Sequence, residues 1–174
     1  SGDDHACKSS SLPSQSEYLF MHAGIPVLNP AGVQDVLDYG LLGWAMSRYS
    51  GCWVAFKTIG ETVDSSASVY VDPQRIRIAI PTDYEMPEGG LNIRWPDSPL
   101  EQEERLHRHK VYAALAFARA NGLDRVVMDS PKRRLGIITA GKSYLDVRQA
   151  LEDLGIDDEM ARSEERRVGK ECRS

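Results

Sequence analysis

Ile25-Pro26-Val27-Leu28-Asn29-Pro30-Ala31-Gly32-Val33-Gln34-Asp35-Val36-Leu37 is the stretch on which the fold reading turns. Its first four residues are a short apolar run that reads as a buried strand. Asn29-Pro30 then offers an N-cap and a first-turn proline, the usual opening of a helix. Val33, Val36, Leu37, Leu41 and Trp44 recur at helical spacing and predict an amphipathic helix to about Arg48. Gly40 and Gly43 weaken it by about 1 kcal/mol each relative to alanine, with close packing against a neighbour as the expected offset. Beyond it, Cys52-Trp53-Val54-Ala55-Phe56 is rich in residues that suit a pleated sheet, and Ser68-Val69-Tyr70-Val71 reads as a further short strand. Strand, helix and strand in this order predict an α/β fold with a parallel sheet.

The character changes downstream. Arg75-Ile76-Arg77-Ile78-Ala79-Ile80 alternates, predicting a strand with one buried face. Residues 81–96 hold three prolines and the pair Gly89-Gly90, a connector long enough to mark a domain boundary. Ser98-Pro99-Leu100-Glu101 is a capping box with proline at the first helical position, opening a long helix that Asn121-Gly122 ends. Its expected buried stripe is His107, Val111, Ala114 and Ala118, with Leu115 alongside. Arg125-Val126-Val127-Met128 and Leu135-Gly136-Ile137-Ile138-Thr139 read as strands, the second apolar enough for a central one. Ser143 with Asp146 is expected to cap a helix through Tyr144, Val147, Leu151 and Leu154, which Gly155 ends.

Length and composition set bounds. At 174 residues, 41% hydrophobic and 27% charged, the chain can bury a sizeable core in one domain or in parts of two. No run of about 18 apolar residues predicts a membrane span. The net charge of −5 argues against a nucleic-acid surface. Cys7, Cys52 and Cys172 are far apart and form no CxxC, so free thiols in a reducing cytoplasm are expected. Residues 162–174 contain one substantial apolar residue, Val168, and resemble a translated adapter sequence, so they are set outside the fold reading. The polar start at Ser1, without an initiator methionine, is read as a start inside a longer protein.

Three constellations carry chemical interest. Gly2-Asp3-Asp4-His5 offers two carboxylates, read either as the seed of a metal site or as a turn after a strand. Ser9-Ser10-Ser11 with Gln15-Ser16-Glu17 is either a ligand-facing loop at a strand's carboxyl end or a helix-capping segment. Thr139-Ala140-Gly141-Lys142-Ser143 lies between a strand and a helix, where backbone N–H groups and Lys142 could contact a phosphate or carboxylate. His107 and His109 are two apart on a helix and cannot chelate one metal as an i, i+4 pair would. No GxSxG, HExxH or GxGxxG is present.

Gly2-Asp3-Asp4-His5-Ala6-Cys7-Lys8-Ser9-Ser10 followed by Gln15-Ser16-Glu17 resembles the Gly-Asp-Asp…Ser-Ser…Gln…Glu signature of the 2-oxoacid:ferredoxin oxidoreductases. The block from Ile25 to Gln34 is similar to the next block of that family. Gly89-Gly90-Leu91-Asn92-Ile93-Arg94-Trp95-Pro96 and Leu145-Asp146-Val147-Arg148-Gln149-Ala150-Leu151 resemble its fused bacterial indolepyruvate branch. The likeness spans residues 1–161, with the blocks in family order.

The resemblance implies a parallel-sheet, thiamine-diphosphate-binding-type (pyrimidine) domain, of which residues 1–71 are the latter part. Residues 72–122 would be a linker segment with its long helix, and 123–161 the start of a transketolase C-terminal-like α/β domain. The implied reaction is oxidative decarboxylation of a 2-oxoacid, here indolepyruvate or another aryl analogue, to an acyl-CoA, with electrons passed through [4Fe–4S] clusters to ferredoxin. Thiamine diphosphate, Mg2+ and the clusters are the implied cofactors. Coenzyme A, the 2-oxoacid, ferredoxin, the remaining domains and a homo-oligomeric mate are the implied partners. The family's thiamine-activating glutamate, Gly-Asp-Gly motif and cluster cysteines have no counterpart in these residues, so no residue here is assigned a catalytic or metal-binding role and the chain is expected to be inactive alone. His5 stands where many pyruvate-type relatives carry proline. Asp3, Asp4, Ser9 and Ser10 are expected to line or support the pocket edge. Alternatives are a non-catalytic α/β binding or interaction module, or a pyruvate- or 2-oxoglutarate-using member. Replacing Ser9 and Ser10 by alanine in a full-length relative is expected to perturb turnover; unchanged kinetics would remove them from the site.

Overall fold

The computed structural model of the chain describes residues 1–130 and 135–156. The adapter-like segment 162–174, Cys172 included, lies outside the described residues. The chain divides into two units, Ser1–Asp124 and Arg125–Ser174.

Four short strands organise the first unit: β1 (Gly2–Asp3), β2 (Val27–Leu28), β3 (Ala55–Phe56) and β4 (Thr58–Ile59). β1 runs parallel to β4, with Gly2 opposite Thr58 and Asp3 opposite Ile59. β2 runs parallel to β3, with Val27 opposite Ala55 and Leu28 opposite Phe56. Only Lys57 separates β3 from β4. The N–H groups of Ala55 and Lys57 donate to Pro26 and Leu28 at 2.8 and 2.9 Å. Thr58 N–H donates to the Ser1 carbonyl at 2.8 Å, and the Ser1 amine donates to the Phe56 carbonyl at 2.8 Å. One edge of residues 55–59 therefore meets β2 and the other meets β1, which makes this run the central strand. Strand alternation places Ala55, Lys57 and Ile59 on one face, and Val54, Phe56 and Thr58 on the other.

α1 (Glu17–His22) joins β1 to β2, and α2 (Val33–Ser50) joins β2 to the central strand. α2 comes close to the sheet at Gly43, where an added Cβ would lie 3.0 Å from Leu28 Cδ1 and 3.7 Å from Val54 Cγ1. Gly40 has open space beside it. The buried side of α2 is Leu42 and Met46, with Tyr39, Ala45 and Tyr49 packed around them, and Cys52, Ala114 and Phe117 complete the core. Leu37, Leu41 and Trp44, expected to face inward, are exposed. Both sides of the helix carry apolar residues, and the side that meets the sheet and the second helix layer becomes core. The N-cap is also corrected: it is Gly32, while Pro30 is buried outside the helix and Asp35 accepts the Ala31 N–H at 3.0 Å.

A short α3 (Gly60–Val63) follows β4. Segment 68–71 forms no strand; the Gln34 carboxamide serves as its partner, accepting from Tyr70 N–H at 2.8 Å and donating to the Tyr70 carbonyl at 3.4 Å. Segment 75–80 is likewise unpaired as a strand, and Asn121 brackets Ala79 through both of its backbone groups at 2.8 Å. One side-chain amide can satisfy one residue's N–H and C=O, which makes a local clip and no ladder.

α4 (Pro99–Arg105), a π turn (Leu106–Lys110) and α5 (Val111–Ala120) form one continuous rod. Its capping box forms as expected, with Ser98 N–H donating to Glu101 Oε2 at 2.7 Å and Glu101 N–H donating to Ser98 Oγ at 3.4 Å. The π turn inserts one extra residue, which rotates the following stripe by about 100°. His107 consequently faces solvent, and the buried residues are Ala113, Ala114, Ala116 and Phe117. Segment 72–122, read as a linker, thus supplies a helix that packs on α2 within the first unit. Phe117 is fully buried, its ring 5.9 Å from that of Tyr49.

In the second unit, α6 (Lys142–Asp153) starts at Gly141 with no side-chain cap, so the Ser143 and Asp146 capping expectation is corrected; Asp146 pairs instead with Lys142 at 2.7 Å. Residues 125–128 and 135–139 form no strand, and Val126, Leu135 and Ile138 are exposed. An apolar run favours extended backbone, but it becomes a strand only where a neighbour offers amides in register. No helix of the described residues is long and apolar enough to cross a membrane.

Two glycines of opposite kind test this packing by urea unfolding. Gly40→Ala adds a Cβ in open space within a helix and should stabilise by about 0.5–1 kcal/mol. Gly51, the left-handed cap of α2 at φ +68°, would carry a Cβ only 2.1 Å from the Leu91 carbonyl oxygen. Gly51→Ala should destabilise by more than the roughly 1–2 kcal/mol that left-handed backbone alone costs.

Candidate functional site

Ligands of open α/β sheets bind at the carboxyl ends of the strands. Here that edge is built by Asp3, the last residue of β1, with Asp4 after it, and by Gly60-Glu61 after β4. Asp3 and Lys57 lie on one face of the sheet because Asp3 is in register with Ile59, two residues beyond Lys57. Both are buried, at 6% exposure each. The Lys57 ammonium lies 3.4 Å from Asp3 Oδ2 and also bonds Glu17 Oε1 at the start of α1. Asp3 Oδ2 further accepts from the Ser16 N–H at 2.8 Å and the Ser16 hydroxyl at 3.0 Å.

Burial pushes the Asp3 carboxyl up, but the Ser16 donors and Lys57 outweigh it and hold the group below its ordinary value. The hydrogen bond from Lys57 lowers Glu17 against a smaller opposing effect of burial. Glu17 Oε2 is buried and has no hydrogen-bond partner among the described residues. Lys57 was not singled out in the sequence: a lysine between apolar strand residues reads as a solvent-facing position. The signal available was its place inside the run Trp53-Val54-Ala55-Phe56-Lys57-Thr58-Ile59, two strand positions from residues that must be buried.

Asp4 organises the following loop. Its Oδ1 accepts from Lys8 N–H at 2.8 Å, and its Oδ2 from the N–H groups of Ser9 and Ser10 at 2.8 Å and the Ser9 hydroxyl at 3.3 Å. The backbone donors of Ser9, Lys8 and Ser10 hold its carboxyl far below the ordinary carboxylate range. Asp4 and Ser14 bridge through mutual backbone bonds of 3.2 and 3.0 Å, closing the loop at its base. The structure thus brings Asp3, Asp4, Ser9 and Ser10 together at the sheet edge. The two carboxylates there take their hydrogen bonds from the protein's own groups, and Ser9 and Ser10 contribute mainly backbone N–H.

Thr139, Gly141 and Lys142 belong to the second unit, apart from that cluster in the chain. Gly141 sits at φ 59°, ψ −143°, a conformation open to glycine, and opens α6. Thr139 Oγ1 is buried with no partner among the described residues, while the Lys142 ammonium is engaged by Asp146. Among the described residues no group of three or more His, Cys, Asp or Glu side chains is placed to hold a metal ion.

Residues 124–172 match the family model of the indolepyruvate ferredoxin oxidoreductase middle domain, and the match points to an oxidoreductase family. The matched span covers α6 and runs on over residues 162–172, part of the segment set aside as adapter-like. No curated protein and no solved structure matches the chain.

Lys57→Met should destabilise by about 3–5 kcal/mol, because it strands the buried Asp3 carboxylate without its counter-ion. Asp3 and Glu17 have folded values below their ordinary ones, so their stabilisation is present above about pH 4 and is lost as pH falls through the lowered folded values. Urea midpoints of the wild type should therefore drop on acidification below about pH 4. An acid slope unchanged by Lys57→Met would contradict the assignment of Lys57 as the counter-ion.

Proposed function

We propose that this chain is part of an indolepyruvate-type 2-oxoacid:ferredoxin oxidoreductase. In that enzyme an aryl 2-oxoacid such as indolepyruvate is oxidatively decarboxylated to an acyl-CoA, with electrons passed to ferredoxin. The carrying observation is the match of residues 124–172 to the middle domain of indolepyruvate ferredoxin oxidoreductases. Independent support comes from residues 1–123, where the Gly-Asp-Asp…Ser-Ser…Gln…Glu blocks resemble the same family in the same order. In this reading residues 1–71 are the latter part of the pyrimidine-binding thiamine diphosphate domain, and the second unit opens the domain that follows.

The residues present do not fit the cofactors of such an enzyme. Cluster ligation takes several thiolates, whereas Cys7 is exposed, Cys52 is buried with its thiol pushed up by burial, and the two are 45 positions apart. The Asp3 and Asp4 carboxylates already accept from Lys57, Ser16 and the loop amides, which makes them supports of the edge and not free acceptors for a cofactor. No catalytic step is routed through these residues. Their contribution is to shape and hold the carboxyl edge, while thiamine, magnesium and cluster chemistry belong to other parts of the enzyme.

The test is anaerobic dye reduction by the polypeptide of the complete reading frame, loaded with thiamine diphosphate and iron. Indolepyruvate and coenzyme A should drive it, and the 174-residue chain alone should not. Preference for pyruvate or 2-oxoglutarate would move the substrate assignment within the family. Absence of turnover with all of these acids, in a folded and loaded protein, would overturn the reading.

A further inference from the structure

The loop between β1 and α1 has the construction of a rigid flap. Its ends meet at the Asp4–Ser14 bridge, and its interior is braced by Asp4, whose carboxylate gathers the N–H groups of Lys8, Ser9 and Ser10. Hydrogen bonds to a charged acceptor are the strong ones, so the brace keeps its shape without help from the body. Residues 5–15 are all exposed, so no apolar side chain glues the flap down. Its tie to the far side of the edge is the ion pair between Lys8 and Glu61 of α3, at 2.6 Å. The body side is fixed: Asp3 is buried against Lys57, and Ser16 is held by Asp3. The turn from Asp3 to Asp4, with Gln15 on the return, is where the chain can pivot.

We propose that residues 4–14 form a flap over the carboxyl edge of the sheet, moving as a braced body and latched by the Lys8–Glu61 ion pair. A strongly packed lid would open only with local unfolding; here the brace and the latch are separate interactions. Exposed ion pairs are weak and are screened by salt, so the latch is the part that yields. Opening frees the part-buried Glu61 beside the strand ends, the part of an open α/β sheet where ligands sit.

Cys7 lies on the flap, exposed, while Cys52 is buried. A nitroxide on Cys7, in the full chain carrying Cys172→Ser, reports flap motion. Amide exchange at Lys8, Ser9 and Ser10 reports the brace. Glu61→Gln should raise the mobile fraction of the Cys7 label up to about fivefold. Raising salt to 1 M should do the same in the wild type and add little in Glu61→Gln, and exchange at 8–10 should stay slow in both. Asp4→Asn should instead speed exchange at all three amides. Label mobility unchanged by Glu61→Gln, or protection at 8–10 lost together with the latch, would overturn the proposal.

Discussion

Lys57 stands between β3 and β4 with its ammonium buried, and the edge of the sheet depends on how that charge is met. Desolvating an ammonium costs several kcal/mol, which only close and well-bonded counter-charges offset. Asp3 from β1 and Glu17 from α1 supply them. Three parts of the fold are thereby tied at one point: the first strand, the first helix and the central strand. Because Asp3 also receives Ser16, the same contact sets where α1 begins. The acidic pair that invites a metal reading in the sequence divides its labour, Asp3 neutralising Lys57 and Asp4 folding the loop.

Helices were legible in the sequence where period and punctuation agree. The rod from Ser98 to Asn121 has a capping box at one end and Asn121-Gly122 at the other, and both do what the sequence says. The direction in which α2 faces was not legible, since Leu37, Leu41 and Trp44 make as regular a stripe as Leu42 and Met46. The choice between them is made by what packs there, namely Phe117 from more than 60 positions away. His107 was misplaced for a different reason: a π turn leaves no mark in an apolar pattern, yet shifts every stripe beyond it.

Strand content was the least legible part. The parallel pairing of Val27–Leu28 with Ala55–Phe56 follows from a strand, a helix and a strand in succession. Segments 68–71 and 75–80 have the composition of strands, but Gln34 and Asn121 satisfy them with single side-chain amides. Of the site, the grouping of Asp3, Asp4, Ser9 and Ser10 came from the family resemblance, since residue pattern alone leaves the acidic pair and the serine loop as separate candidates. Lys57, which holds the cluster to the sheet, was not legible, because its partner is brought to it by parallel pairing across more than 50 residues. The family match lies in a different part of the chain from this cluster, in residues 124–172, while the braced edge belongs to the first unit.

The proposed function requires that both parts sit within one longer oxidoreductase polypeptide. Sequencing the source DNA across both ends of the reading frame tests that most directly. The account predicts an upstream coding region with the glutamate-bearing half of the thiamine domain, a downstream frame running on past Ala161, and cysteine-rich cluster motifs in the same polypeptide. A start codon just before Ser1 together with a genomic stop just after Ser174 would contradict it, and would leave a small independent α/β protein in place of an enzyme segment.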